Sequence, residues 1–163
     1  MNVMKYFTGE KFQCLAGAGI GIVTLVLAIY FLLVIKKPFF NGIAYPFLVT
    51  GTFLLGICIA IVIRSPADIA RVDNMIRNNK SEIQISEIPR METVLKNFKR
   101  IEIAEIIFII SGAALFFLMS AKPVVAGIGT GLSIQGLILF TFDLIAENRG
   151  KLYLGFLQNL MTQ

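Results

Sequence analysis

Lys37-Pro38-Phe39-Phe40-Asn41-Gly42-Ile43 opens a long apolar run, and Lys122-Pro123-Val124-Val125-Ala126-Gly127-Ile128 opens another, 85 positions further on. The same offset pairs Gly51 with Gly136, Leu54 with Leu139 and Arg64 with Arg149. A further apolar run precedes each Lys-Pro turn. Working outward from the turns gives four such runs, 12–35, 43–63, 101–121 and 124–142. Each is close to the roughly 20 residues that carry a helix across the hydrocarbon core of a bilayer.

The fold expected from this pattern is an all-α membrane protein. Four transmembrane helices form two tandem helical hairpins, a parallel internal repeat, joined by an amphipathic helical cytosolic linker over 64–100. An interfacial tail follows over 148–163, and the whole of 1–163 reads as a single four-helix transmembrane domain.

Composition agrees with lipid as the solvent. Charged residues are 15% and apolar ones 56%, with a mean hydropathy of +0.79; a soluble domain carries about a quarter charged residues. The first run is 24 residues long and passes straight into Lys36-Lys37. That is longer than the core of a cleavable signal and lacks a small-residue cleavage site, so it is expected to remain as a span.

Lys and Arg set the expected orientation. Lys5 and Lys11 precede the first span, eight bases lie between the second and third, and Arg149 and Lys151 follow the fourth. Only Lys36, Lys37 and Lys122 fall on the opposite side. By the positive-inside rule the termini and the linker are cytosolic, with a bacterial inner membrane as the expected location. The linker's bases alternate with Asp68, Asp73, Glu82, Glu87 and Glu92. A nucleic-acid face would instead interleave bases with aromatics, so no nucleic acid is expected as a partner. The expected partners are the bilayer itself, anionic lipid headgroups near the linker, and a protein partner or a second copy of the chain.

Local signals divide the linker. Ser65-Pro66-Ala67-Asp68 has the form of a helix start, with Ser65 as N-cap and Pro66 in the first turn. Tyr45 and Pro46 are placed in the first turn of helix two, where a missing N–H costs little. Ser81–Glu87 alternates polar and apolar residues and reads as extended. A helix after Pro89, with Met91, Val94, Leu95 and Phe98 on one face, is expected to run unbroken into the third span. Asn148-Arg149-Gly150 reads as a break before an interfacial tail. Gly17 and Gly21, and the glycines of helix four, give small faces for close helix packing. Asn79-Lys80-Ser81 matches a glycosylation acceptor, unused on a cytosolic linker.

The chain has no His and no Trp, which removes histidine-based catalysis and histidine zinc sites. No catalytic residue, metal site or cofactor is expected. Cys14 and Cys58, without a Cys-x-x-Cys pair, read as small buried hydrophobes. The chemistry-bearing signal is Glu102 and Glu105, three residues apart on one helix face at the start of the third span. Ionisable groups at membrane depth are costly, and they face a partner or water. Two readings follow: a buried cation or proton site centred on Glu105, or headgroup-level ion pairs with Lys99, Arg64 or Arg149. Gln135, the one amide within a span, is expected to hydrogen-bond between helices or to contact a ligand.

Two functions fit. One is an accessory or interaction subunit acting through its cytosolic linker, for example a bacterial inner-membrane accessory or immunity protein. The alternative is a small-solute or ion transporter with Glu105 as its coupling carboxylate. A membrane-embedded enzyme would have to draw on Glu102, Glu105 and Asp143.

Overall fold

The computed structural model describes residues 3–78 and 80–161. It is all-α, with four long helices: α1 Val3–Ile35, α2 Pro38–Asn78, α3 Lys80–Leu118 and α4 Pro123–Met161. All four are long and apolar enough to cross a membrane. Asn79, and with it the acceptor pattern noted above, lies outside the described residues.

Close packing on α4 organises the bundle. α4 lies along both α2 and α3, while α1 packs on α2 and touches α4 only lightly. The small residues of α4 divide between its two neighbours. Gly127 meets the Phe39 carbonyl and Gly42 of α2, and Gly131 meets Ile43 and Pro46. Gly129 and Gly136 turn the other way, onto Gly112 and Ile109 of α3, and Ser133 Oγ donates to the Ile109 carbonyl at 3.3 Å. Backbones that approach this closely leave no room for side chains, and so Gly recurs here. Between α1 and α2, Gly21 meets the Gly51 carbonyl and Gly17 faces Cys58 Sγ. The Gly17/Gly21 face is therefore used within the chain. Both thiols are free and buried.

At 1.5 Å per residue the 41 residues of α2 extend about 60 Å, twice the ~30 Å of a hydrocarbon core. The bundle accordingly has two storeys. In the first, between the turns and about Arg64, large apolar side chains point outward: Val26, Leu33, Phe53, Ile107 and Phe117 are all exposed. A water-facing surface of that kind would be unstable, whereas lipid accepts it. The second storey, at the basic end, has an ordinary inward core drawn from all four helices: Tyr6 and Phe7, Val72, Ile83 and Met91, Tyr153 and Leu157. Tyr6 stacks on Tyr153 with ring centroids 4.1 Å apart, and Phe7 meets that ring edge-on at 5.9 Å.

One charge sits in that second core. Glu87 is 0% exposed, yet its carboxylate is fully partnered. Arg71 of α2 pairs with it at 3.1 Å; Arg90 donates to both oxygens, at 3.0 and 2.6 Å; and the Tyr153 hydroxyl of α4 donates at 3.3 Å. Burial alone would lower the pKa of Arg90, but its hydrogen bonds to Glu87 prevail and raise it. Burial also pushes the Tyr153 phenol up, with Glu87 adding to the shift.

Several local expectations are corrected. α2 starts at Pro38, so Pro46 is interior to the helix rather than in its first turn. α2 also runs through Pro66, and Ser65 makes no capping bond; its buried hydroxyl has no partner. Ser65 and Asp68 are buried on either side of the exposed proline, and Asp68 bonds Arg64 at 2.7 Å and Arg71 at 3.3 Å, so the helix carries across it with one backbone hydrogen bond lost. Ser81–Glu87 is helical, not extended: α3 begins at Lys80, and Ile83–Glu87 is a π turn with Ile83 and Glu87 inward. A lone strand has no neighbour to satisfy its backbone, and a helix satisfies its own. α3 is continuous from this turn to Leu118, as expected of the segment after Pro89. α4 does not break at Asn148-Arg149-Gly150, because Gly150 packs against Leu95 and Met91 of α3. The tail beyond it turns Tyr153 and Leu157 into protein. The stretch 64–100 is thus the continuation of α2 and α3 and not a separate linker element.

Candidate functional site

α2 and α3 touch only near the Ile83–Glu87 turn. Nearer the hairpin turns they stand apart, and a cavity of about 760 Å³ lies between them against α4. Val49, Phe53 and Ile57 on α2 and Ile101 and Phe108 on α3 line it while remaining exposed, so its open side faces the apolar surroundings of the bundle. Along most of its length the wall is aliphatic or aromatic. Toward the basic end it becomes polar, with Glu10 and Gln13 from α1, Glu105 from α3, and Asp143 and Arg149 from α4.

Glu105 is 4% exposed, and its carboxyl lies within hydrogen-bonding reach of that of Asp143. No cation is committed to the pair among the described residues. The charged neighbours of Glu105 are Asp143 and Glu102, and those of Asp143 are again carboxyls. Glu105 Oε2 has no hydrogen-bond partner. Two carboxyl groups so placed are satisfied by one proton held between them or by a cation.

The surrounding bases are engaged elsewhere. Lys99 bonds Glu102 and Glu147, each at 3.0 Å, and these bonds raise its pKa. Lys151 bonds Glu147 at 3.0 Å; with Lys99 it holds the Glu147 carboxyl below the usual range. Arg64 pairs with Asp68. Arg149 donates to Gln13 Oε1, whose amide donates on to the Phe142 carbonyl at 2.5 Å. Of the ion pairs expected for the two glutamates, only Lys99–Glu102 is present; Arg64 and Arg149 bond neither, because the first points to its own helix and the second to α1. Glu102 and Glu105 therefore part company, one at a lysine and one in the cavity. Gln135 is buried, does not line the cavity, and makes none of the expected interhelical hydrogen bonds.

Sequence reasoning placed Arg149 at this end and grouped Asp143 with Glu102 and Glu105 as acids, but did not pair Asp143 with Glu105, nor bring Glu10 and Gln13 to the same end. One signal was available: Asp143 directly follows an apolar run, as Glu105 sits just inside one.

Burial raises the pKa of the Glu10 carboxyl, with Arg64 and Arg149 opposing. The sign of its effect on stability follows. Between the ordinary and the raised value the native state holds a proton that the unfolded state has released, so stability falls as pH rises through that window. Glu10→Gln is expected to raise the melting temperature at pH 7.5 and to leave it unchanged at pH 4. Melts of both proteins across that range check this; an equal gap at both pH values would contradict it.

Comparison with models of protein families, with curated proteins and with solved structures gave no match.

Proposed function

We propose that the protein is a multi-pass membrane carrier for a small cationic solute, with Glu105 and Asp143 as the acid pair that alternately holds a proton and the solute. The observation that carries this reading is the pairing of buried Glu105 with half-buried Asp143, without a cation of its own, in the wall of an open cavity. Ionisable groups kept at such depth mark ion and substrate pathways.

The crossing of α2 and α4 supports a two-fold relation between the hairpins. Gly42 rests against the Val124 carbonyl and Gly127 against the Phe39 carbonyl; both pairs of positions are related by the 85-residue offset. Contacts that exchange in this way mark an isologous axis. Parallel repeats about an axis along the membrane normal are a transporter architecture, although here the acid pair lies toward the basic end of the cavity. The basic second storey would then lie in the cytosol, in accord with the bias in Lys and Arg.

The accessory-subunit reading rested on an amphipathic surface between the second and third spans. Much of the apolar surface of that stretch packs in or against the chain's own second core, which favours the carrier reading over it.

In proteoliposomes carrying an inward pH gradient, Glu105→Gln is expected to reduce cation-dependent dissipation of the gradient by more than about tenfold, a loss of ~1.4 kcal/mol or more. Asp143→Asn is expected to do the same. Unchanged dissipation in both variants would remove the carrier role.

A further inference from the structure

We propose, resting on the carrier reading, that the solute is a lipophilic organic cation entering sideways from the bilayer through the gap between α2 and α3. Its apolar body would lie along the groove, with its charge at Glu105–Asp143.

The cavity's size and lining select this class. Its roughly 760 Å³ suits a drug-sized molecule, for which pockets run to about 300–1,000 Å³. Six aromatic side chains line it, among them Tyr6, Tyr45, Phe98 and Phe142, with Phe53 and Phe108 at its open side. Aromatic walls attract cations through the ring quadrupole, most effectively those with little hydration to lose. An inorganic cation fits poorly: hard ions demand about six oxygen ligands, and no group of three or more metal-ligating side chains is found among the described residues. An anionic amphiphile would set its charge against two carboxyls. A hydrophilic amine would have to leave water for an aliphatic wall, without hydrogen bonds along most of it. A weakly hydrated cation with a dispersed charge meets none of these penalties.

Proton exchange follows from the geometry. When the groove is empty, one proton between the carboxyls satisfies the pair; a bound cation replaces it, and one proton leaves. The other titratable or charged groups around the pair and the cavity are Glu102 on α3, Arg149 on α4, Tyr6, Glu10 and Cys14 on α1, and Tyr45 and Cys58 on α2. Arg149 is bonded to Gln13, and Glu102 to Lys99.

The test is calorimetry on the full chain in mild detergent, with tetraphenylphosphonium as the probe. Saturable one-to-one binding is expected, with release of one proton, read from the dependence of the heat on buffer ionisation enthalpy. Glu105→Gln and Asp143→Asn should each weaken binding more than about tenfold and abolish the proton release. Both variants are first shown to be monodisperse and helical. Neutral triphenylphosphine oxide should bind the wild type at least tenfold more weakly, and the variants no differently. Equal affinity of wild type and both variants would overturn the proposal. So would the absence of saturable binding, equal binding of the neutral probe, or a co-purifying phospholipid that the probe cannot displace. Carboxyl-dependent binding without gradient-driven flux would sink the carrier reading alone. Flux of a hydrophilic cation without probe binding would sink the lipophilic-cation proposal alone.

Discussion

Gly127→Ala is expected to be among the most damaging single substitutions in the chain, costing roughly 3 kcal/mol and leaving little monodisperse protein. A Cβ at position 127 would land on the Phe39 carbonyl oxygen, with Gly42 directly behind it. Neither is the free end of a flexible side chain. Relief requires α2 and α4 to move apart, and that crossing joins the two hairpins. Controls are built into the same helices. Gly19, Gly56 and Gly155 have nothing within 4 Å of an added Cβ, so alanine there should be neutral or stabilising by up to about 1 kcal/mol through helix propensity alone. Thermal melts of the four variants in one detergent decide the matter. A Gly127→Ala melt no lower than those of the three controls would show that the crossing is looser than described.

Glu87→Ala is expected to have a comparable effect at the other end of the molecule. It would leave Arg71 and Arg90 half-buried beside an empty site and deprive the Tyr153 hydroxyl of its acceptor. Removing one partner of a fully buried pair costs about 3–5 kcal/mol; here both arginines are about one-third exposed and Arg71 keeps Asp68, so a cost toward the lower end of that range is expected. The damage should be confined to the second storey, whose core owes its stability to exclusion of water, while the first is held by close helix contact. Limited proteolysis separates the two: trypsin should cut Glu87→Ala rapidly at Arg71, Arg77 and Arg90, while the apolar segments survive as protected fragments. Glu87→Gln, which keeps the shape and one acceptor, should fall between the variant and the wild type. Equal protection of all three proteins would mean that the network contributes no stability.

What could be read from the sequence and what could not divide along a physical line. The four apolar runs and the two Lys-Pro turns declare themselves, since crossing lipid demands unbroken apolar length. The Lys99–Glu102 bond was visible because residues three apart share a helix face. The continuity of α2 through Pro66 was hidden: Ser-Pro-Ala-Asp is a sound local start signal, overruled by neighbours on other helices. The inward turn of Glu87 depends on the π turn at Ile83–Glu87, one extra residue that shifts a face without altering composition. The Glu105–Asp143 pair was hidden more deeply, being 38 positions apart on different helices. The two could be grouped as membrane acids, but their like charges gave no reason to pair them directly.

The stacking of Tyr6 on Tyr153 bears on biosynthesis. A ribosome makes Tyr6 well before Tyr153, which follows all four apolar segments, so during translation Tyr6 waits for the ring that stacks on it. Chains emerge at about 5–20 residues per second, and surface left open in such intervals invites aggregation. For close to 150 residues of synthesis, which at that pace is on the order of ten seconds, the segment around Tyr6 and Phe7 is open to chaperones and proteases. Closure of the ring stack therefore reports that the fourth helix has been made and has docked.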